Sequence, residues 1–142
     1  MRNWSADKSK AIFLLAYVVI FATACAGNSP KSDSVKERAQ LRWESILSND
    51  LDTAYNLYSP GYRSAHSRVD YEIDLRTMRV QWTSAEYIDQ ECDADRCLVN
   101  FRVGFRVHRP VPGLEVFDSK SIVQDTWVKT GGEWWYVPPV KK

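Results

Sequence analysis

The sequence predicts an α+β domain in which N-terminal helices pack on a four-stranded antiparallel sheet. Apolar residues recur at helical spacing up to Arg79 and alternate with polar residues from that point on. Gly131-Gly132 marks a tight hairpin turn between the last two alternating runs. Helices followed by consecutive strands are typical of α+β folds, in which the helices cover one face of the sheet.

Three short helices are expected before the sheet. The first is capped by Ser34, with a glutamate three residues on that fits a capping box, and it ends at Asn49-Asp50. The second begins at Leu51 and stops at Ser59-Pro60-Gly61, where proline and glycine break the pattern. Ser67 can cap a third helix, which has apolar residues along one side.

Four strands are expected after residue 79. Residues 81–92 and 97–108 form the first hairpin, and the second of these strands places five apolar residues on one face. Residues 109–113 are expected to form a loop, and a long third strand lies within 115–130. The Gly-Gly turn then leads into a fourth strand over 133–137.

Several stretches resemble the nuclear transport factor 2-like superfamily. They are Arg42-Trp43-Glu44, Asp50-Leu51-Asp52-Thr53-Ala54-Tyr55, Ser59-Pro60-Gly61-Tyr62-Arg63, Thr126-Trp127-Val128-Lys129 and Trp134-Trp135-Tyr136-Val137. The resemblance covers about residues 34–138 and implies a curved sheet that wraps around a helix to make a cone. The similar members are small exported bacterial proteins. These motifs are architectural, so they bear on the fold far more than on function.

The N-terminal segment has the layout of a secretion signal. Arg2, Lys8 and Lys10 precede an uncharged apolar run over residues 11–24, and the chain turns polar after Cys25. This run of 14 residues is shorter than the roughly 18–20 that a membrane-spanning helix needs. The chain is therefore divided into a signal peptide (1–24), a lipidated cysteine with a polar tether (25–33) and a single α+β domain (34–142).

The end of this signal, Ala22-Thr23-Ala24-Cys25, resembles the lipobox of bacterial lipoproteins. The resemblance implies that Cys25 is lipidated and becomes the N-terminus of the mature chain. The sequence departs from the family pattern at Ala22, where leucine is commonest. The same residues also satisfy an Ala-x-Ala site for ordinary signal peptidase, so both processing routes stay open. In a Gram-negative host, Ala26 after the cysteine implies delivery to the outer membrane.

The number of cysteines favours lipidation of Cys25. The chain has three cysteines, and an odd cysteine in an exported protein needs an explanation. Cys92 and Cys97 flank a predicted turn and are expected to form a structural disulfide in an oxidising compartment. Metal ligation and redox chemistry are the alternatives, but no patterned histidine is nearby and the spacing exceeds Cys-x-x-Cys. Lipidation then accounts for the remaining cysteine.

Glu86 and Asp125 are the candidate catalytic residues. If Cys92 opposes Cys97, the same register places Glu86 opposite Val103 on the apolar face of the hairpin, where an unpaired carboxylate is costly. Enzymes similar to this superfamily, such as ketosteroid isomerases and polyketide cyclases, use inward acidic residues and histidines for proton transfer. The competing interpretation places Glu86 at an open rim or beside an arginine, because a slip of one residue moves it to solvent.

Trp82, Trp127 and Tyr136 are the candidate ligand-binding residues. Counted from the Gly-Gly turn, Trp127 faces Tyr136 and Val128 faces Trp135, so both faces of the last hairpin carry aromatic side chains. One set must belong to the core. The other set is either a covered second face or an exposed patch that can hold a ligand, a glycan or a protein.

Charge and motifs narrow the range of partners. Removing residues 1–24 takes three of the 19 basic and one of the 18 acidic residues, which leaves 16 basic and 17 acidic. A nearly neutral chain does not predict a nucleic-acid partner. His66 and His108 are expected on the surface, and no motif predicts a metal, a cofactor or a nucleophile.

The favoured hypothesis is an exported, lipid-anchored cell-envelope protein on the periplasmic side of the membrane, acting as a non-catalytic binding or interaction module. The alternative is a small-ligand-binding or proton-transfer enzyme of the cone fold that uses Glu86. The expected partners are the membrane, through the lipid, and either a second copy of the chain or another envelope protein. The second copy is implied by the resemblance, because sheets of this superfamily often dimerise face to face.

Overall fold

The computed structural model describes residues 34–139, in which four helices precede one antiparallel sheet. The helices are α1 (Val35–Leu47), α2 (Leu51–Asn56), α3 (Pro60–Ala65) and α4 (Arg68–Arg76). The strands are β1 (Val80–Cys92), β2 (Arg96–Val111), β3 (Leu114–Thr130) and β4 (Glu133–Val137), which are hydrogen-bonded in chain order. The predicted α+β fold class is confirmed. Between residues 34 and 139, no helix is long and apolar enough to cross a membrane.

Each helix begins at a side chain that accepts a hydrogen bond from its first turn. Ser34, Asp50, Ser59 and Ser67 each accept one from the backbone N–H three residues on. At α4 the cap is reciprocal, because the Asp70 carboxylate also accepts a hydrogen bond from the N–H of the capping serine. These caps fix the starting points of the helices that cover the sheet.

The sequence prediction missed one helix. Ser59-Pro60-Gly61 was expected only to end α2, but α3 also begins there. Pro60 occupies the first turn of α3, where its fixed φ suits a helix and its missing N–H leaves no intrahelical bond unmade. Ser59 caps the helix by accepting a hydrogen bond of 3.2 Å from the Tyr62 N–H.

The β2–β3 hairpin extends further than predicted. The expected loop at 109–113 is largely strand, because Val111 pairs with Leu114 and only Pro112-Gly113 remains as the turn. Gly113 has a φ of 85°, a conformation that residues with a side chain rarely adopt. A tight turn at this point lets both strands continue past the start of β1.

The pairing of β3 with β4 is confirmed and brings the helical segment to the sheet edge. Trp127 pairs with Tyr136 and Val128 with Trp135 around the Gly-Gly turn. The Tyr136 N–H donates to the Leu57 carbonyl, and the Tyr136 carbonyl accepts from the Ser59 N–H, both at 2.9 Å. The chain between α2 and α3 therefore covers part of the free edge of β4.

The register of β1 against β2 is confirmed near the cysteines and wrong further away. Cys92 opposes Cys97 and Gln90 opposes Val99, as predicted, and the two cysteines form a disulfide. Further along, β1 has two irregularities that each shift the pairing by one residue. This shift changes the face on which Glu86 lies, as described below.

The core lies between the helices and the inner face of the sheet. Alternation along β2 buries Val99, Phe101 and Val103, which are all at most 1% exposed. Trp43 of α1 packs on Phe101 with a ring separation of 6.0 Å. The same inner face continues on β3, where it carries the fully buried Trp127 and one charged residue, described next.

Candidate functional site

A cavity of about 300 Å³ lies between α1, α4 and the inner face of the sheet. Its surface is mainly apolar, and six aromatic residues line it: Trp43, Tyr58, Tyr62, Tyr71, Trp82 and Tyr136. Its wall carries the buried charged pair Arg42 and Asp125, at 6% and 1% exposure, and the exposed Asp74. A largely apolar concave space with a few polar groups is the usual form of a small-molecule site.

The position of Arg42 on α1 and that of Asp125 on β3 bring the two side chains into contact. Arg42 lies on the apolar face of α1, next to Trp43, and Asp125 occupies an inward position on β3 opposite Val99. Asp125 Oδ2 accepts one hydrogen bond from Arg42 Nη1 and another from Trp43 Nε1, both at 3.0 Å. Two donors on one carboxylate oxygen fix the orientation of this side chain.

The Arg42 guanidinium is also held by aromatic rings. Its carbon lies 3.6 Å from the centre of the Tyr136 ring and 5.6 Å from the centre of the Tyr58 ring. Burial opposes the charge, but Asp125, Tyr136 and Tyr58 outweigh it and raise the pKa of Arg42 above its usual value. Arg42 therefore stays cationic inside the domain.

Burial raises the pKa of Asp125 above its usual value, while the charge of Arg42 and the hydrogen bonds from Trp43 and Arg42 act in the opposite direction. The net direction is upward because desolvation of the carboxylate is the largest of these effects. The raised pKa is a property often found in functional carboxylates, although structural ion pairs have it too.

Tyr62, Tyr71 and Tyr136 are neutral hydroxyl groups at physiological pH. Burial raises the pKa of Tyr71 and Tyr136 well above the usual value, and raises the pKa of Tyr62 to about 12. Tyr58 packs among all three, with ring separations of 4.5 to 5.1 Å. The site therefore offers O–H donors rather than phenolate charges.

Two donors of the site lack a well-formed hydrogen bond within residues 34–139. They are the Tyr71 hydroxyl and Arg42 Nε, and both atoms are buried. Tyr71 is only 3% exposed and lines the cavity. After burial, Tyr58 raises the pKa of Tyr71 through its charge and through a side-chain hydrogen-bond interaction, whose geometry falls short of a regular hydrogen bond to the Tyr71 hydroxyl. Buried donors of this kind are costly unless a ligand or water satisfies them.

The predicted inward position of Glu86 is wrong. An irregularity between Tyr87 and Asp89 shifts the pairing by one residue, so Glu86 opposes Arg102 instead of Val103. Its side chain is 67% exposed and its Oε2 lies 3.3 Å from Arg102 Nη1. Glu86 is therefore outside the cavity, as the competing interpretation held.

The other candidate residues divide between the cavity and the core. Trp82, Tyr136 and Asp125 line the cavity. Trp127 does not line it, because it is fully buried and packs on the Tyr136 ring at 5.8 Å. Cys25 lies outside the described residues.

The histidines and cysteines form no further site in the described part of the chain. His66 and His108 are both exposed, and the His66 ring stacks on Tyr62 at 4.3 Å. The Cys92–Cys97 disulfide is at the far end of the first hairpin. Residues 34–139 contain no cluster of three or more histidine, cysteine or carboxylate side chains that could hold a metal ion.

Sequence reasoning missed Arg42 and Tyr71 as members of the site. Arg42 interrupts an otherwise apolar helix face that includes Val35, Ala39 and Trp43, and such an interruption predicts a buried partner of opposite charge. Asp125 supplies this partner from an inward strand position. Tyr71 looks like an ordinary core residue, because only the packing shows that its hydroxyl is unsatisfied.

No protein-family model and no curated protein matches the chain. Solved structures resemble it at low identity. A SEC-C motif containing protein of Rhodopseudomonas palustris has a TM-score of 0.55 at 14% identity, over 75% of this chain and 77% of that one. A sec-c motif containing protein of Psychrobacter arcticus has a TM-score of 0.53 at 11% identity, over 78% of this chain and 62% of that one.

The third structure is a proposed dehydratase of the nuclear transport factor 2-like family from Streptomyces avermitilis. Its TM-score is 0.51 at 11% identity, over 73% of this chain and 89% of that one. At such identities a structural likeness bears on fold and not on activity. Helices packed on an open four-stranded antiparallel sheet, together with this likeness, support the cone fold of that family for the chain.

Proposed function

We propose that this protein is a lipid-anchored module of the cell envelope that binds a small molecule non-covalently in its cone cavity. The observation that carries the binding proposal is the cavity of about 300 Å³ with the Arg42–Asp125 pair in its wall. Its volume is at the lower end of the range for small-molecule sites, which is roughly 300–1,000 Å³. A compact apolar ligand with one or two polar atoms fits this space.

The polar part of the site is preorganised for binding. Asp125 is fixed by Arg42 and Trp43, and Arg42 is fixed in turn by the Tyr136 ring. Groups held in this way lose little further entropy when a ligand arrives, which favours affinity. Preorganisation does not require a chemical step, so binding without catalysis accounts for the arrangement.

Proton transfer is the second candidate function, with Asp125 in the role first assigned to Glu86. The raised pKa of Asp125 favours it, because a more basic carboxylate is a better proton acceptor. Against it, the hydrogen bonds from Arg42 and Trp43 both fall on Asp125 Oδ2 and hold the charged form. Deuterium incorporation into cyclohexanone in heavy water, lost in Asp125→Asn, would support catalysis; incorporation equal to that of buffer would contradict it.

The anchoring proposal rests on the sequence of residues 1–25. The basic start, the short apolar run and the lipobox-like Ala22-Thr23-Ala24-Cys25 favour diacylation at the cysteine. Several acyl chains on one residue are enough for stable membrane attachment, whereas a single chain is not. Cys25→Ser should release the protein from the membrane fraction, and mass spectrometry of the mature N-terminus should show the lipid. Unchanged fractionation of Cys25→Ser would contradict lipid anchoring, and in a Gram-negative host the expected location is the outer membrane.

Isothermal titration with 2-naphthol tests the binding proposal. This probe is compact, apolar and uncharged, and it carries a single hydroxyl group that can meet the buried donors. We expect saturable one-to-one binding to the domain. Heat no greater than that of dilution at all probe concentrations would contradict binding in the cavity.

Light scattering on the same sample tests the predicted association of two copies of the chain. A strictly monomeric result would count against the dimer.

A further inference from the structure

The cavity changes from polar to apolar along two helices that line it together. On α1, Arg42 is at the buried end and is followed by Ile46 and Leu47, and exposure rises from 6% at Arg42 to 38% at Leu47. On α4 and the residues after it, Tyr71 is 3% exposed and Met78 is 46% exposed. Both segments therefore run from a buried polar base to a more exposed end with apolar side chains, and the exposed Asp74 of α4 also lines the cavity.

The mouth leads into a second space. A groove of about 500 Å³ lies outside the cavity between α1, α2, the end of α4 and the start of β1. Four apolar side chains line both spaces and form the boundary between them: Ile46, Leu75, Met78 and Trp82. Leu47 lines the groove alone. A ligand that fills the cavity can thus continue past these four side chains into the groove, whose wall also carries the polar residues Asn49, Arg76 and Gln81.

The buried end of the cavity presents hydrogen-bond donors that an oxygen atom of a ligand can satisfy. The Tyr71 hydroxyl and Arg42 Nε are buried donors without a well-formed partner in the described chain. Either donor would be satisfied by an oxygen acceptor such as a hydroxyl, a ketone or an ester carbonyl. Satisfying a buried donor recovers the desolvation that the empty site leaves uncompensated.

The same base disfavours a negatively charged ligand. The charge of Arg42 is already matched by Asp125, whose Oδ2 lies 3.0 Å from Arg42 Nη1. A ligand carboxylate at Arg42 would lie near the Asp125 carboxylate in a poorly solvated space, where like charges repel strongly. The head group that fits is therefore uncharged.

We propose that the ligand is an uncharged single-chain amphiphile, with its oxygen at Tyr71 and Arg42 and its hydrocarbon chain extending past Ile46 and Met78 into the outer groove. This proposal rests on the binding function proposed above and names the class of molecule that the site takes. It distinguishes this site from one that binds only a compact ring, because a hydrocarbon chain occupies both the cavity and the groove.

Isothermal titration of the domain with 1-hexanol, 1-decanol and decanoate tests the class of ligand. The four additional methylenes of 1-decanol should tighten binding about tenfold or more over 1-hexanol, because they remove apolar surface from water in the groove. Decanoate should bind at least about tenfold more weakly than 1-decanol, because its head group is charged. Equal affinity for the two alcohols, or tighter binding of decanoate, would overturn the proposal.

Two leucines of α1 provide a matched pair of variants. Leu47→Glu places a charge in the groove and should remove the advantage of 1-decanol over 1-hexanol, while leaving 2-naphthol binding within about twofold. Leu41 is exposed to a similar extent, at 43% against 38%, and lines neither space. Leu41→Glu should keep the full affinity advantage of 1-decanol over 1-hexanol. An equal loss of this advantage in both variants would overturn the placement of the hydrocarbon chain in the groove.

Tyr71→Phe tests the head group. It removes a hydroxyl that lacks a good partner in the empty site, so the free protein should unfold at the same or a higher urea concentration. Binding of 1-decanol should nevertheless weaken about fivefold. Undiminished binding would overturn the role of Tyr71. Failure of every probe, 2-naphthol included, would instead overturn the binding function itself, so the two failures are distinguishable.

Discussion

Arg42 Nη1 lies 3.0 Å from Asp125 Oδ2, which joins α1 to β3 across 83 residues of sequence. Both side chains are more than nine-tenths buried, and the pair is the buried charged part of a mainly apolar cavity wall. An ion pair in such a place is costly to desolvate and adds little net stability compared with well-packed apolar residues. Its presence is therefore more easily explained by the site than by the stability of the core.

Removing one partner of this pair should be strongly destabilising. Arg42→Met leaves the Asp125 carboxylate buried without its cation, and the free energy of unfolding should fall by about 3–5 kcal/mol. The double variant Arg42→Met with Asp125→Leu should lose less than the single variant, because no buried charge remains. Urea unfolding at neutral pH measures the free energy of unfolding of both variants.

The exposed pair of Arg102 with Glu86 provides the control for this experiment. Its side chains are 50% and 67% exposed, and its separation is 3.3 Å. Arg102→Met should therefore change the urea midpoint very little, since solvent screens such pairs. Two results would contradict the role given to the buried pair. One is a double variant, Arg42→Met with Asp125→Leu, that is as unstable as Arg42→Met alone. The other is an equal loss of unfolding free energy in Arg102→Met.

Acidification should weaken α4, which forms one wall of the cavity. Hydrogen bonds from Ser67 lower the pKa of Asp70, and hydrogen bonds from Arg68 and Arg76 lower the pKa of Glu72. A carboxylate with a lowered pKa adds stability above its usual pKa, here 3.8 and 4.5, and that stability is lost as the pH falls through the lower folded-state value.

Thermal unfolding by circular dichroism between pH 7 and pH 3 measures this effect. The Tm should fall on acidification, and Asp70→Ala should show a smaller fall because part of the linkage is already absent. Gln90→Ala, at an exposed position of β1, removes no ionisable group and should keep the pH dependence of the unmodified protein. An Asp70→Ala profile parallel to that of the unmodified protein would contradict the assignment to the α4 cap.

The Cys92–Cys97 disulfide should contribute modestly to stability. The cysteines are five residues apart, so the bond closes a short loop and restricts the unfolded chain little. Replacing Cys92 by serine and the fully buried Cys97 by alanine should cost about 2 kcal/mol or less, with the fold retained. Circular dichroism melts with and without reductant measure this cost, and a variant unfolded at 25 °C would show that the bond does much more.

The sequence predicts those parts of the fold that depend on local patterns. The caps at Ser34 and Ser67, the alternation of β2 and the turn at Gly131-Gly132 each follow from a few neighbouring residues, and the structure has all of them. The start of α3 was missed because a proline such as Pro60 is typical both of the end of one helix and of the first turn of the next.

The parts that depend on long-range packing could not be predicted in the same way. Irregular pairing within β1 leaves no distinctive residue in the sequence, yet it moved Glu86 from the inner face to solvent. Asp125 was identified from its strand position alone. Its partner Arg42 was not, because the pairing becomes visible only when α1 is docked on β3.

Blocking the cavity is the most direct test of the claim that it binds a ligand. Val123 lines the cavity, whereas its neighbour Ile122 is 66% exposed on the opposite face of β3. Isothermal titration with 2-naphthol should show at least about tenfold weaker binding to Val123→Phe, because the larger side chain occupies the space of the probe, and unchanged binding to Ile122→Phe. Equal binding to both variants would place the ligand elsewhere and contradict the account.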